Sequence, residues 1–208
     1  MTFEKSVSFE NTAIYYNSSN DFFDNNGIMT FKGNVDVRFE NFINKNTGIL
    51  NFNGNNANVK GNIINEGEIN INGKTKFIGA LHNEGNGILT INAQTIVNSN
   101  NENYRHIYNK NGATLHIQGS TISVNAFWNE NATLILSAVK GTLGQGTFWN
   151  FKDAILVFSA VNGTLGQLIG NFINYADKND TSKNEGKVIV NVRGLSAGTK
   201  YQIINGTQ

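Results

Sequence analysis

Short runs with alternating apolar and polar residues recur along the chain, and each run opens with glycine or alanine. The eight opening residues are Gly27, Gly48, Gly67, Gly87, Ala113, Ala132, Ala154 and Gly186. In each run the second and fourth residues after the small one are apolar, from Met29 and Phe31 in GIMTF to Val188 and Val190 in GKVIV. Alternation with period two is typical of a β-strand with one buried face. We therefore expect one strand per run, with Leu134, Leu136, Leu156 and Phe158 in a core and Thr133, Ile135 and Val157 pointing away from it.

A second motif, two bulky residues followed by asparagine, recurs with the same period. It ends at Asn17, Asn44, Asn65, Asn83, Asn109, Asn129, Asn150 and Asn174. The segment SAVKGTLGQ at 137–145 is also nearly repeated as SAVNGTLGQ at 159–167. Two motifs that share a period of about 20 residues indicate a repeat that runs through the whole chain.

This repeat predicts an all-β fold, a right-handed parallel β-helix (solenoid) of about nine rungs that forms a single domain over 1–208. Helical repeats would space their apolar residues by three and four, and leucine-rich repeats would show a Leu-x-x-Leu-x-Leu frame. Left-handed β-helices usually show regular hexapeptides, which are missing here. Parallel crossovers are overwhelmingly right-handed, which sets the predicted hand.

The recurrent asparagine predicts a structural ladder. Stacked amides can donate to one neighbouring rung and accept from the other, and asparagine also tolerates the left-handed backbone conformation of a tight corner. We assign this ladder to Asn44, Asn65, Asn83, Asn109, Asn129, Asn150 and Asn174, with Asn129 and Asn150 directly in register. A ligand site would not need the same residue on every rung.

Composition excludes several classes of function. The chain has 38 asparagines, 22 glycines, no proline and no cysteine, and its net charge is +1 with 15% charged residues. Such a weak charge does not favour nucleic acid as a partner, and without cysteine there is no thiolate nucleophile or thiolate metal site. The longest apolar runs are far shorter than a membrane span, so we expect no membrane insertion by this chain.

Two of the repeats are longer than the others, and surplus residues in a solenoid leave the rungs as side loops. We expect such loops near 98–108 and 175–185. The first carries Tyr104, Arg105 and His106, which we take as possible partner contacts because tyrosine and arginine are enriched at contact hot spots. The alternative is an inert loop, whose extra residues the fold tolerates and which contacts no partner.

The sequence shows no cluster of residues with the spacing of a catalytic site. Glycoside hydrolysis needs two facing carboxylates, but the acids are scattered: Glu66 and Glu68 flank a turn glycine, and Asp36 and Glu40 lie on one strand. The spacing of His82, His106 and His116 fits neither a zinc site nor a catalytic triad. We therefore expect no enzyme activity, no cofactor and no metal.

Abundant asparagine and glycine, the irregular repeat and the lack of cysteine resemble an autotransporter passenger. More narrowly, NEGNGILTINAQTIVNS, NKNGATLHIQGSTISVNAFWNENATLILSAVKGTLG and RGLSAGTKYQIING resemble the vacuolating-cytotoxin-like passengers of gastric bacteria. The resemblance implies export across the outer membrane to the bacterial surface or the medium, and a role in host interaction. It also implies a passenger fragment, because the sequence shows neither a signal peptide nor a barrel.

Three hypotheses about function remain open. The first is a non-enzymatic, surface-exposed virulence or colonisation factor that contacts a host-cell surface protein or glycan. The second is a carbohydrate-binding or carbohydrate-processing β-helix of the tailspike or lyase type, which clustered carboxylates would favour. The third is an oligomerising toxin domain, which self-association of the chain would favour.

Overall fold

The computed structural model is an all-β solenoid of about seven turns, consistent with a parallel β-helix. It describes 2–16, 22–97, 106–118, 122–124, 126–137, 140–151, 153–162, 164–174, 186–193, 195–198, 200 and 204–205. Every secondary-structure element in these ranges is a strand. The predicted fold class is confirmed, while its right-handedness stays a prediction.

Short strands follow one another along the described chain, and most hold two to five residues. In chain order they are β1 (Thr2–Phe3), β2 (Val7–Glu10), β3 (Ala13–Tyr15), β4 (Phe23–Asn25), β5 (Ile28–Lys32), β6 (Asn34–Asn44), β7 (Ile49–Phe52), β8 (Asn56–Asn65), β9 (Glu68–Ile71), β10 (Thr75–Ile78), β11 (Leu81–Asn83), β12 (Ile88–Ile91), β13 (Thr95–Val97), β14 (His106–Lys110), β15 (Thr114–Gln118), β16 (Ile122–Ser123), β17 (Ala126–Glu130), β18 (Thr133–Ser137), β19 (Lys140–Asn150), β20 (Ile155–Val161), β21 (Thr164–Leu165), β22 (Gln167–Asn174), β23 (Lys187–Asn191) and β24 (Ile204–Asn205).

Successive coils stack their strands in three parallel stacks. The glycine stack contains the strands that follow the small opening residues, in the order β2-β5-β7-β9-β12-β15-β18-β20-β23. The asparagine stack contains the segments around the recurrent asparagines, including β11, β14 and β17. The third stack includes β10, β13 and β16, while the long strands β6 and β8 bend and contribute to both of the last two stacks. Among the described strands, only β20 and β21 pair antiparallel.

The alternation predicted for the glycine stack is present. Leu134, Leu136, Leu156 and Phe158 are each at most 3% exposed, whereas Thr133, Ile135 and Val157 are half-buried on the opposite side of the sheet. Like side chains lie opposite each other, since Leu134 pairs with Leu115 and Leu156. Apolar residues from all three stacks thus form one elongated core.

Two expectations need correction at the ends of the solenoid. We predicted about nine rungs, whereas the described part of the chain forms about seven turns. Val188 and Val190 follow the apolar alternation that is typical of a buried face, yet they are 40% and 39% exposed. Their strand β23 pairs only with β20 in the described part of the chain, so no described coil covers the far side of these two residues.

The small opening residue has a steric cause. A Cβ added at Gly67 would collide with the backbone carbonyl oxygens of Lys45 and Gly48 in the preceding coil. Gly48 and Gly87 face comparable backbone atoms of their preceding coils. Later coils have room for one methyl group, since Ala132 occupies the same position and is 5% exposed. Close approach of two coils at this corner therefore restricts it to glycine or alanine.

Replacing Gly67 by alanine is expected to lower the free energy of unfolding by about 1–3 kcal/mol, because the new methyl group has to push two backbone carbonyls away. Urea denaturation followed by circular dichroism measures the change. The matched control is Ala132→Gly at the equivalent corner, where the expected loss is only about 0.5–1 kcal/mol from backbone entropy. Equal or smaller losses for Gly67→Ala would contradict the steric account.

Candidate functional site

Seven amide–amide hydrogen bonds form a continuous ladder inside the solenoid. The side-chain Nδ2 of each asparagine donates to the Oδ1 of the next, at 2.7 to 2.9 Å. Its members are Asn25, Asn44, Asn65, Asn83, Asn109, Asn129, Asn150 and Asn174. Asn129 lies opposite Asn150 in register, as predicted. The first seven members are fully buried.

The ladder amides from Asn25 to Asn129 also tie their own stack to the glycine stack. Asn109 Nδ2 donates to the carbonyl oxygen of Thr133 at 2.8 Å, and Asn129 Nδ2 donates to that of Ile155 at 3.1 Å. Both N–H groups of these amides are therefore satisfied without water. Because the ladder is buried and its amides pair with one another, we assign it a structural role. Among the described ladder atoms, Asn25 Oδ1 is buried and has no hydrogen-bond partner.

Sequence reasoning missed the first member of the ladder. Asn25 ends the segment FDN, in which Asp24 occupies a position that elsewhere holds a bulky residue. The side chain at that position points outward, so a polar residue is tolerated there. A wider motif, an apolar residue followed by any residue and then asparagine, would have included Asn25. Asn17, the asparagine of the YYN motif, lies outside the described residues.

The left-handed backbone conformation, which was the second role predicted for asparagine, occurs at residues outside the ladder. Asn111, Asn131 and Asp153 have positive φ angles of 59°, 46° and 61°. They lie in the turns that leave the asparagine stack, two or three residues after a ladder position. Hydrogen-bonded ladders and left-handed corners thus use separate asparagines.

An aromatic column lies on the outer side of the asparagine stack. It consists of His82, Tyr108, Trp128 and Trp149, each one residue before a ladder asparagine and aligned in register. Ring centroids are 4.6 Å apart for His82–Tyr108, 5.9 Å for Tyr108–Trp128 and 4.9 Å for Trp128–Trp149. All four side chains are half-buried. Since the asparagines point inward, alternation places these rings on the surface.

Aliphatic residues continue the aromatic column towards both ends of the solenoid. In the same register positions stand Ile43 and Ile64 on one side and Ile173 on the other. Phe151 packs beside the column, with its ring centroid 5.2 Å from that of Trp128. The outer face of the asparagine stack therefore carries an apolar stripe that is one residue wide and parallel to the solenoid axis.

Charged residues flank this stripe and are paired with one another. Glu84 Oε1 lies 3.1 Å from Lys110 Nζ and 3.3 Å from His82 Nδ1. Lys45 Nζ lies 4.0 Å from Glu66 Oε2. The stripe thus has a polar border whose opposite charges largely neutralise each other.

The indole of Trp128 carries an unpaired donor. Its Nε1 is buried and has no acceptor among the described residues. Buried tryptophan N–H groups usually donate a hydrogen bond. The N–H group of Trp128 is therefore an unusual donor without an acceptor in the aromatic column.

Of the three partner contacts that the sequence predicted, His106 is described and lies at the border of the aromatic column. Its ring packs edge-on against Tyr108 at 5.7 Å. Tyr104 and Arg105, with most of the expected loop 98–108, lie outside the described residues, as does the whole of 175–185. These contacts therefore stay predictions.

The scattered acids have local partners. Asp36 pairs with Arg38 at 3.0 Å, and Glu68 accepts a hydrogen bond from Asn70 at 2.7 Å. Within the described ranges no group of three or more histidine, aspartate or glutamate side chains could hold a metal ion.

The described residues contain no helix that is long and apolar enough to cross a membrane. Comparisons with protein-family models, curated proteins and solved structures find no match in any of the three.

Two histidines are expected to make stability depend on pH. Burial lowers the pKa of His82, with Glu84 opposing the shift, and burial also lowers the pKa of His116. A lowered folded-state pKa means that the unfolded chain takes up protons first, so stability is full above the usual value of about 6.5 and falls as pH drops below it. Urea midpoints at about pH 7.5 and about pH 5 test this. The double variant His82→Gln/His116→Gln should show a smaller loss, and an unchanged loss would contradict the assignment.

Proposed function

We propose that this chain is a segment of a surface-exposed or secreted autotransporter passenger of the vacuolating-cytotoxin-like type. In this proposal it is a non-enzymatic virulence or colonisation factor that presents one face of its β-helix to the host-cell surface. The observation that carries the proposal is the aromatic column on the outer side of the asparagine stack.

Several properties of this face support a binding role. Half-buried tyrosine and tryptophan supply large contact areas at low entropic cost, and they are enriched at contact hot spots. The buried ladder directly beneath the rings anchors them on a hydrogen-bonded scaffold, so little flexibility is lost on binding. Solenoids use their extended faces for such contacts.

The other parts of the proposal come from the resemblance. A passenger of this type implies export across the outer membrane and a host-cell protein or glycan as partner. Self-association would favour the oligomerising toxin domain instead. A parallel β-helix is compatible with that resemblance, and the repeat period of about 20 residues supports it. Lack of catalysis remains part of the proposal.

Binding of the purified, fluorescently labelled chain to cultured epithelial cells tests the proposal. We expect saturable binding by flow cytometry that excess unlabelled chain competes away, and absence of such binding would contradict the host-contact role. Incubation with polysaccharides and analysis of the products tests the non-enzymatic part. Reproducible depolymerisation would favour the carbohydrate-processing hypothesis instead.

A further inference from the structure

We infer that the outer face of the third stack binds a linear sulfated polysaccharide through three lysines. This lysine patch consists of Lys60 in β8, Lys76 in β10 and Lys74 directly before β10. The inference goes beyond the proposed function, because it concerns a different face of the solenoid and a ligand of stated charge. It is carried by the position of the lysines, by their lack of acidic partners and by the polar residues between them.

Strand alternation places the lysine patch on the outer side of the sheet. Val59 and Thr75, beside the lysines, are at most 1% exposed and point into the core, whereas the lysines themselves are exposed or half-buried. In register, Lys76 lies opposite Asn58, two residues before Lys60. With about 3.3 Å per residue and about 4.8 Å between strands, the three Cα atoms form a line about 14 Å long.

The lysine patch differs from the other cations near it because it lacks acidic partners. Lys45 and Lys110, beside the apolar stripe, each lie within 4.0 Å of a glutamate carboxylate. On the third stack, Arg38 pairs with Asp36 at 3.0 Å, and Glu40 stands at the register shift of β6. None of the three patch lysines forms an ion pair with a described residue. Their mutual repulsion is therefore uncompensated, and a bound polyanion relieves it.

The surroundings of the lysines suit sulfate groups on a sugar chain. Side-chain amides of Asn56, Asn58 and Gln94 occupy neighbouring outward positions, and no described residue is hydrogen-bonded to these amides. Their N–H groups can donate to sulfate oxygens and sugar hydroxyls, while the ammonium groups supply the charge. Because the charges form a line on a flat sheet, the face fits a polymer with successive anionic groups better than one small anion.

Two other polyanions fit this face less well. Single-stranded nucleic acid needs aromatic platforms for its bases, but Tyr15, the 60% exposed aromatic residue of this face, already has the guanidinium of Arg38 over its ring at 4.9 Å from the centroid. Stable attachment to an anionic membrane needs a larger basic cluster or an apolar segment that inserts. Three lysines on a flat sheet provide neither.

Fluorescence anisotropy of a labelled heparin octasaccharide tests the inference on the whole chain. We expect saturable binding at low ionic strength and its loss at about 1 M salt, where the Debye length is about 3 Å. A hyaluronan octasaccharide, which has carboxylates but no sulfates, is expected to bind more weakly because its charge density is lower. A single-stranded oligonucleotide and phosphatidylserine vesicles are the competing probes, and both are expected to bind more weakly than heparin.

Variants locate the binding on the lysine patch. Lys60→Gln/Lys76→Gln should weaken heparin binding at least about tenfold, because two of the three charges are lost. The matched control is Lys45→Gln/Lys110→Gln, which lowers the net charge equally but removes lysines that already pair with glutamates, and its affinity should stay close to that of the unaltered chain. Lys60→Arg/Lys76→Arg keeps the charge and should keep the binding. Thermal unfolding by circular dichroism shows that each variant is folded.

Four results would overturn the inference: no heparin binding at low ionic strength, hyaluronan binding as tight as that of heparin, tighter binding of the oligonucleotide or the vesicles, or equal losses in the two glutamine variants. The proposed function fails separately, since Tyr108→Ala/Trp149→Ala should bind heparin like the unaltered chain. Cell binding without heparin binding overturns only the polysaccharide inference. Heparin binding without cell binding overturns only the host-contact role.

Discussion

Replacing Phe158 by alanine is expected to lower the free energy of unfolding by about 3–5 kcal/mol, the largest loss among the substitutions considered. The Phe158 side chain is fully buried, and in register it lies between Leu136 and Val190 of the adjoining strands. Backbone pairing of β18 and β23 with β20 limits how far these strands can move into the space. Urea denaturation of the variant and the unaltered chain measures the difference.

Val157→Ala is the matched control for this experiment. Val157 precedes Phe158 in β20 but is half-buried on the outer side of the glycine stack. Its truncation is expected to cost less than about 1 kcal/mol, since only packing on the pleated surface is lost. Comparable losses for the two variants would show that the core does not lie on the side of the sheet to which Phe158 points.

Asn129→Ala is expected to cost about 1–3 kcal/mol, the price of leaving buried polar groups unpaired. The Asn129 amide donates to Asn150 at 2.9 Å and to the carbonyl of Ile155 at 3.1 Å, and it accepts from Asn109 at 2.8 Å. Without the Asn129 amide, its three hydrogen-bonding partners are left unpaired in a buried site that water does not reach. A lower denaturant midpoint with an unchanged circular dichroism spectrum is the expected result.

A second, exposed row of asparagines supplies the control for the ladder. Asn72 donates to Asn53 at 2.9 Å and accepts from Asn92 at 2.7 Å, a geometry much like that of the ladder. Because all three side chains are exposed, water replaces the lost bonds, and Asn72→Ala should change stability by less than about 0.5 kcal/mol. Similar losses for Asn72→Ala and Asn129→Ala would contradict the view that burial makes the ladder important.

The repeat was predictable because two positions in each coil allow few residue types. Gly67 lies against the backbone of the preceding coil, and Asn129 has to hydrogen-bond with the ladder amides on either side. The same residue types therefore recur at both positions in successive coils. The number of complete coils was not predictable in this way, since terminal strands such as β23 carry the same letters as internal ones. Asn25 was missed because the residue before it points outward and is free to vary.

The aromatic column could have been recognised from the same motif. In IYN and FWN the middle residue is out of phase with the inward asparagine, so alternation already places Tyr108 and Trp128 on the surface. The two bulky residues of the motif thus differ in position, since Ile107 and Phe127 are buried while Tyr108 and Trp128 are half-buried. Which rings stack, and the lack of an acceptor for Trp128 Nε1, depend on the register between coils and on side-chain packing, which no local pattern contains.

Cell binding by a variant with an altered outer face tests the central claim, that the outer side of the asparagine stack is the binding surface. The comparison uses the unaltered chain, the double variant Tyr108→Ala/Trp149→Ala and the control Tyr15→Ala, each labelled equally and shown to be folded. We predict that the double variant binds epithelial cells at least about tenfold more weakly, while Tyr15→Ala binds like the unaltered chain. Equal binding of all three proteins would contradict the claim.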